Sequence, residues 1–209
     1  MSTQTKSAFT ELMYARKSIR KYDADYKLSK EEISEMLTDA MTAPSTSNQQ
    51  PWRFIAITDE TAKKELRGMA YNQEQVETAS VVIAVLGDAN FHEQAEKINQ
   101  LSVDAGVMTP EVAVAQTEGS VKLYSGVPVE ARRSLAMYDA GLVSMQLLLA
   151  AKDRGLDSVV MGGFNKDAFA KAYELPENEF PIVLIAIGKG TGLPRGTSRL
   201  SVDDVVKFV

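Results

Sequence analysis

The sequence has no cysteine and only one histidine, His92, among its 209 residues. The absence of cysteine excludes disulfides, thiolate zinc sites, iron–sulfur clusters and cysteine nucleophiles. A serine–histidine–acid triad or a histidine-rich metal site would depend on His92 alone, and the polar stretch around it predicts a surface residue. No metal site is therefore predicted, and the remaining chemistry would have to use carboxylates, lysine, tyrosine or a bound cofactor.

Long apolar runs are also missing. Apolar runs such as 147–151 and 181–187 fall far short of the roughly 18–20 residues that a membrane span needs. The N-terminal stretch has no apolar signal-peptide region. The chain has 23 basic and 28 acidic residues and a net charge of −5, whereas a general nucleic-acid-binding protein is usually basic. These features predict a cytoplasmic protein with no membrane and no nucleic-acid partner.

The composition is that of an ordinary globular protein, with 44% hydrophobic and 24% charged residues. A chain of this length can bury roughly 70% of its unfolded surface, so a sizeable core needs no covalent staples. No internal repeat, low-complexity block or linker divides the sequence. We therefore predict a single domain over 1–209.

Apolar residues at helical spacing predict three main helices. The first has its apolar face at 9–13, and the second, with its face at 33–41, starts at a capping box formed by Ser29 and Glu32. The longest runs from about Glu130 to Arg154. Because it is apolar nearly all round, we expect either a central helix or a dimer seam.

Four apolar segments rich in β-branched residues predict buried strands. They span 52–58, 80–87, 158–164 and 181–188, and the third ends in a glycine turn. The polar region 90–126 is predicted to be helical. Helices outnumber strands and do not alternate regularly with them, so an α+β fold is favoured over a doubly wound α/β sheet.

Four of the six residues in the basic segment, residues 16–21, are cations. Arginine guanidinium groups and the hydroxyl of Ser18 suit a phosphate monoester. Read alone, the segment is equally the solvated C-terminus of a helix, where cations favour the dipole.

Three further segments carry polar chemistry. The polar loop, residues 44–50, has hydroxyls and amides but no charge, and suits a polar heterocycle or a polyol chain; the alternative is a turn locked by prolines. The glycine pair 162–163 would let backbone N–H groups approach a flat ligand, or simply form a turn. The C-terminal arm, residues 189–209, has no acidic residue between 188 and 202, and is either a positive arm or a solubilising tail.

Together, these motifs and their order resemble the nitroreductase family of flavin enzymes. The resemblance covers nearly the whole chain, and no single motif decides it. The matching pieces are Arg16, Ser18 and Arg20, then Pro44 to Trp52, Asn72 with Ala79 and Ser80, Gly162 with Gly163, and Arg199 with Leu200.

The resemblance implies a three-layer α+β sandwich with a mainly antiparallel central sheet flanked by helices. It implies an intertwined homodimer that binds FMN at the subunit interface, with the arm 189–209 wrapping the partner. NADH or NADPH would donate electrons, and a small electron-poor acceptor, such as a nitroaromatic or a quinone, would receive two of them in a ping-pong cycle.

The family's cofactor contacts carry over position by position. The resemblance assigns no catalytic side chain, since FMN carries the chemistry, but Arg20 would tune the N1/O2 edge of the flavin and Gly163 would offer its N–H toward N5. Asn72 would contact the pyrimidine ring. Phosphate and ribityl contacts would come from Arg16, Ser18 and Arg199, with Lys17 and Gly162 beside them, and second-subunit contacts from Pro44, Ser45, Ser47, Asn48 and Gln50.

Two departures from the family pattern matter. Many members have a lysine near Gln75, by the N1/O2 edge, and a second lysine where this chain has Thr197. Lys189 is a candidate to replace the second charge. The absence of the lysine near Gln75 should weaken stabilisation of the negatively charged reduced flavin. We therefore expect a lower flavin potential than in lysine-bearing relatives.

Two alternatives stay open. The same scaffold could support enone reduction, dehalogenation or dehydrogenation, or the chain could be an acidic, cofactor-free interaction protein. The region 90–126 is expected to border the substrate, although core packing is the favoured interpretation for each of its larger side chains, Phe91, Met108 and Tyr124.

Overall fold

Four antiparallel strands form one sheet in the order β1-β2-β4-β3 in the computed structural model, which describes residues 6–209. Residues 1–5 of the predicted domain lie outside the described residues. The strands are β1 (Trp52–Ile57), β2 (Val81–Asp88), β3 (Asp157–Met161) and β4 (Glu179–Gly188).

Nine α-helices accompany the sheet within residues 6–209. They are α1 (Ala8–Ala15), α2 (Lys30–Ala40), α3 (Glu60–Met69), α4 (Glu74–Thr78), α5 (Ala95–Asp104), α6 (Pro110–Ser125), α7 (Val129–Asp153), α8 (Lys166–Ala172) and α9 (Val202–Val205). The predicted helical region 90–126 is therefore divided into a short 3₁₀ turn and two helices.

Local sequence signals set the helix boundaries. The predicted capping box at α2 is present: the Glu32 N–H donates to Ser29 Oγ over 3.1 Å, and the Ser29 N–H donates to Glu32 Oε2 over 2.7 Å. Thr109 and Asn165 cap α6 and α8 with their side-chain oxygens. Gly155, just after α7, has a φ of 72°, the left-handed conformation that glycine adopts at low cost.

The sheet separates two apolar layers, which confirms the predicted α+β sandwich. Helices α2 and α7 pack on one face against Ile83, Val85 and Ile185. Residues of α3, α4 and α8 pack on the other face around Val82 and Leu184. Every residue of β2 is buried, because β2 lies inside the sheet and both of its faces are covered.

Two predicted apolar surfaces are wrong for the isolated chain. Strand β1 was expected to be buried on both faces, yet Ala56 is exposed and the side chains of 53–55 are only half-buried, because β1 lies at the sheet edge. Helix α1 has no buried residue, and Phe9 is 59% exposed. The predicted face of α1 thus finds no complete cover within the described chain.

Helix α7 has the length and composition of a membrane span, with 25 residues and a mean hydropathy of 1.3 in its most apolar window. Half of that window is buried inside the protein, and the helix has buried Asp139 near its middle. These are properties of a core helix, so its apolar character is weak support for a membrane span. One stripe, Met137, Gly141 and Met145, remains exposed.

Residues 16–22 join the sheet at two separate points, Ser18 beside β3 and Tyr22 beside Gly190, just after β4. Ser18 forms a parallel bridge with Ser158, and the Ile19 N–H donates to the Ser158 carbonyl over 3.1 Å. The buried hydroxyl of Tyr22 donates to the carbonyls of Ile19, at 2.8 Å, and Ala186, at 3.1 Å. The tyrosine therefore ties the basic segment to the middle of the protein.

Replacing Tyr22 with phenylalanine removes both hydrogen bonds and leaves buried carbonyl groups less well satisfied. We expect a loss of about 1–2 kcal/mol in the free energy of unfolding, measured by urea titration. Tyr138→Phe is the matched control, because that side chain is 68% exposed and donates no hydrogen bond within the described residues. Equal stability of the two variants would contradict the role assigned to Tyr22.

Alkaline pH provides a second readout of the same variant. Burial, assisted by Asp157 and opposed by Arg20, raises the pKa of Tyr22 well above its ordinary value. The unfolded chain then loses this proton first, so wild-type stability should fall as pH rises above about 10. Tyr22→Phe should lose less stability over the same range.

Candidate functional site

The basic segment presents cations that have no counterion. Arg16, Lys17 and Arg20 form no ion pair and no side-chain hydrogen bond with any residue between 6 and 209. Lys189 also forms no ion pair and no side-chain hydrogen bond with these residues. It lies beside the segment, as its backbone carbonyl accepts a hydrogen bond from the Asp23 N–H at 2.9 Å. The structure therefore brings together four of the predicted cofactor-binding cations, Arg16, Lys17, Arg20 and Lys189, which form the cation group.

Strand pairing decides where Ser18 and Ile19 point. Ser18 forms a parallel bridge with Ser158, and Ser158 pairs with Ile187, whose side chain lies in the α7 layer. Ser18 therefore faces the α7 side of the sheet, while Ile19, on the alternate side, is buried. After Ile19 the chain leaves β3, because Tyr22 pairs with Gly190, just beyond the end of β4.

A cleft of about 380 Å³ lies on this same side, between α7 and the sheet. Its lining is almost wholly apolar, and the sequence motifs gave no sign of it. It is lined by Met137, Ala140, Gly141, Ser144, Met145, Leu148, Val160, Ile182 and Val183.

The glycine turn after β3 meets the segment 71–75. Gln73 Nε2 donates to the Gly163 carbonyl over 2.9 Å, and the Tyr71 ring lies 3.9 Å from the position that a Gly163 Cβ would take. Tyr71 and Asn72 both have left-handed φ angles, 53° and 57°. The structure thus joins Asn72, Gly162 and Gly163 in one place, and adds Gln73, which sequence reasoning missed.

Gln75, predicted beside the flavin, is buried behind this group. Its amide nitrogen donates to Gln73 Oε1 at 3.0 Å and lies 3.3 Å from Met161 Sδ. Its side-chain oxygen, Oε1, accepts no hydrogen bond from any residue between 6 and 209. Gln75 therefore supports the segment 71–75 and has one free acceptor.

The polar loop lies at the other edge of the sheet. It leads directly into β1, whereas the basic segment borders β3, and three strand spacings of about 4.8 Å separate β1 from β3 by roughly 14 Å. Within one chain, therefore, the structure does not bring the loop together with the cation group. The loop residues affected are Pro44, Ser45, Ser47, Asn48 and Gln50.

The backbone of the polar loop is strained. Ser47, Asn48 and Gln50 have φ angles of 47°, 55° and 48°, in a region that costs a non-glycine residue roughly 1–2 kcal/mol. Conformations of this kind persist where surrounding contacts hold them, and they concentrate at functional sites. Sequence reasoning could identify the loop but not this geometry.

Arg199, the remaining predicted contact, lies far along the C-terminal arm. The arm starts against the body, where the Thr191 N–H donates to the Lys21 carbonyl at 2.9 Å. Beyond Gly192, no hydrogen bond or ion pair joins it to the rest of residues 6–192. Its apolar side chains are 63–94% exposed at Leu193, Leu200, Val202, Val205 and Phe208.

The prediction that His92 lies at the surface is wrong, since the residue is 6% exposed. It follows Asn90 and Phe91 in the turn before α5, and the fold of α5 against α6 covers this turn. Phe91 and Tyr124 pack edge to face, with ring centroids 5.0 Å apart, which agrees with the favoured core interpretation of both. The polar residues on either side of His92 in the sequence gave no indication that α5 and α6 would bury it.

The fold and site define an α+β protein with an unpaired cation group and a glycine turn at one sheet edge. Comparison with known proteins agrees: the model of the nitroreductase family matches residues 13–189. The chain therefore belongs to the nitroreductase family and is an oxidoreductase.

Individual relatives match over nearly their whole length. YdgI of Bacillus subtilis, whose name assigns it provisionally to the NAD(P)H nitroreductases, is 39% identical over 202 residues, which are 96% of this chain and 97% of YdgI. An enone reductase of CLA biosynthesis from Lactiplantibacillus plantarum is 29% identical, covering 95% of this chain and 93% of its own. A solved structure from Exiguobacterium sibiricum, a nitroreductase in complex with FMN, has a TM-score of 0.93, 40% identity and full coverage of both chains.

The single histidine allows a direct test of the packing around α5 and α6. Burial lowers the pKa of His92, and the positive charge of Arg132 lowers it further, against the opposing effects of Glu93 and Asp88. We expect the His92 ring protons, followed by NMR, to titrate below pH 6.5 in the native protein and near 6.5 in urea. A native pKa at or above 6.5 would contradict the buried placement.

Proposed function

We propose that the protein is an FMN-dependent NAD(P)H oxidoreductase that reduces electron-poor small molecules, such as nitroaromatics and quinones, by two electrons. The observation that carries the proposal is the cation group, whose four members form no ion pair with any residue between 6 and 209 and lie at the sheet edge that carries the glycine turn. A protein seldom gathers cations without counterions unless an anion is to be bound. The FMN in the similar Exiguobacterium structure names a suitable ligand.

The residues present fit FMN. The cation group lies near Ser158, and the glycine turn starts at Gly162, so about 13 Å of strand separates them at roughly 3.3 Å per residue. A Cβ added at Gly162 would meet nothing within 4 Å, so the backbone there is open to a close neighbour. The Gly163 N–H has no backbone partner within the described chain. An elongated ligand with a phosphate at one end and a flat ring at the other suits this arrangement.

The proposed binding residues act by charge and hydrogen bonding. Arg16, Ser18 and Arg199 would hold the phosphate and ribityl groups, with Lys17 and Lys189 adding positive charge. Bound FMN would supply the redox chemistry, taking a hydride from NADH or NADPH and passing two electrons to an acceptor in a ping-pong cycle.

Further residues would orient and tune the ring system. Asn72 would hydrogen-bond the pyrimidine ring, and the Gly163 N–H would face N5. Arg20 carries a permanent positive charge, and beside the ring it would favour negative charge near N1 and O2. No carboxylic acid joins this set, so we expect protons to come from water or from residues specific to the acceptor.

We propose a homodimer with two shared sites. The polar loop and the basic segment lie at opposite sheet edges, so a second copy of the chain is what would bring them together. The arm 189–209 would wrap this second copy, which would cover its exposed apolar side chains. The exposed stripe of α7, Met137, Gly141 and Met145, would also be covered, as the dimer-seam interpretation requires.

Enone reduction is the second candidate function. The 29% identical enone reductase supports it, because that relative covers nearly the whole chain. Assays that compare nitroaromatic, quinone and enone acceptors at equal NADH and NADPH concentrations would separate the candidates by kcat/KM. We expect the activity in the cytoplasm, where both nicotinamide donors are available.

The visible spectrum of the purified protein tests the proposal first. We expect a yellow protein that binds one FMN per chain, elutes as a dimer, and bleaches when NADH or NADPH is added without oxygen. A protein that stays colourless after incubation with FMN and dialysis would overturn the proposal and restore the interpretation as a cofactor-free interaction protein.

Replacing Gln75 with lysine should raise the potential of the bound flavin. A cation restored near N1 and O2 stabilises the reduced form by about 1–2 kcal/mol, or roughly 20–40 mV for a two-electron couple. Gln75→Met is the neutral control for the altered packing around Met161, and Arg20→Gln should lower the potential. Potentiometric titration that finds the same value in Gln75→Lys and Gln75→Met would contradict the assigned position.

A further inference from the structure

Three side chains from outside the polar loop bond it, two from distant helices and Arg53 from the adjacent β1, whose Nη1 donates to the Gln50 carbonyl at 3.1 Å. The carboxylate of Asp139, on α7, accepts from the Thr46 N–H at 2.9 Å and from Thr46 Oγ1 at 3.3 Å. The hydroxyl of Tyr124, on α6, lies 2.9 Å from Ser47 Oγ, within hydrogen-bond distance. These two anchors contact the residues at which the chain enters its left-handed turn.

Both anchors are themselves fixed. Asp139 is 1% exposed and has no cation partner among residues 6–209, so Thr46 supplies its only side-chain and backbone donors there. Tyr124 is 5% exposed and packs against Phe91, while Arg132 donates to the Tyr124 carbonyl at 3.1 Å. A buried carboxylate without a cation is costly unless its hydrogen bonds are needed, so this one has a specific task.

Hydrogen bonds inside the loop close its turns but do not attach it to the rest of the protein. The Asn48 and Gln49 N–H groups donate to the carbonyls of Ser45 and Thr46 at 3.0 and 2.9 Å, and the Gln50 N–H donates to Ser45 Oγ at 3.1 Å. Among the side chains, Gln49 Nε2 donates to the Ser47 carbonyl at 3.2 Å and Gln50 Nε2 to Asn48 Oδ1 at 3.3 Å. Three non-glycine residues nevertheless stay at positive φ, which requires the surroundings to hold them. The exposed side chains of the loop, including Asn48, are thereby presented in one fixed direction.

We propose that Asp139 and Tyr124 are positioning residues that hold the polar loop in the conformation needed to contact FMN bound mainly by the partner subunit. This inference rests on the proposed function. Asp139 acts through hydrogen-bond geometry and not through its charge. Tyr124 links the loop to the α5–α6 region, so a shift of α6 changes how the loop meets the cofactor.

Four variants test the proposal in the purified full-length dimer. Tyr124→Phe removes only the hydroxyl and should raise the FMN dissociation constant about 3–10-fold. Asp139→Ala removes both acceptors and should raise it by at least 10-fold. Asp139→Asn can still accept from the Thr46 N–H and donate to Thr46 Oγ1, so it should stay within about 3-fold of wild type. Tyr138→Phe, exposed on α7, is the control.

A second readout separates positioning from general weakening. The visible circular dichroism of bound FMN reports the asymmetry of its surroundings, and it should change in Tyr124→Phe and Asp139→Ala but not in Asp139→Asn or Tyr138→Phe. If Asp139→Ala does not fold, Tyr124→Phe and Thr46→Val, which removes one donor to Asp139, provide the same test.

The outcomes are distinct. The proposal would be overturned if Tyr124→Phe kept wild-type FMN affinity and dichroism and if Asp139→Ala, or Thr46→Val in its place, did so too. It would also be overturned if Asp139→Asn weakened FMN binding as much as Asp139→Ala, because the charge of Asp139 would then be the cause. Failure of wild-type protein and Tyr138→Phe to bind FMN would instead overturn the proposed function.

Discussion

The contacts that hold residues 18–22 against the sheet are the ones on which the phosphate side of the site depends. One backbone hydrogen bond to Ser158 and the Tyr22 hydroxyl, which reaches the carbonyls of Ile19 and Ala186, fix this segment. The bridge to Ser158 places Ser18 on the α7 side of the sheet and Ile19 in the core. Cations that repel one another are thereby held close together at one edge of the sheet. The phosphate recognition proposed for the basic segment depends on that arrangement.

Much of this architecture could be predicted from short-range sequence signals. The α2 capping box depends on neighbours within four residues, and it was found where it was expected. The N-caps Thr109 and Asn165 and the glycine after α7 are local signals of the same kind. The α+β class followed from the order of apolar segments. The candidate site residues followed from a family resemblance, and their roles remain predictions, although the structure gathers the cation group and the glycine–amide group as that resemblance requires.

What sequence reasoning missed depends on contacts between distant residues. His92 has polar neighbours in sequence but is buried, because α5 and α6 fold over its turn. The link between Thr46 and Asp139 spans 93 residues, and that between Ser47 and Tyr124 spans 77. No local pattern encodes such a pair, since its partners are set by the packing of whole helices. The face of α1 was predicted as apolar but not as exposed, and the arm was predicted from its charge, so its exposed apolar side chains were not anticipated.

The division of site residues between the two sheet edges has a genetic consequence. In the proposed dimer, each site takes the basic segment from one chain and the polar loop from the other. A chain damaged at Arg20 and a chain damaged at Asn48 would each form an inactive homodimer. When the two associate, one site receives both lesions and the other receives none. Two inactive alleles would then complement each other within one gene, and the mixed dimer would regain one of its two sites.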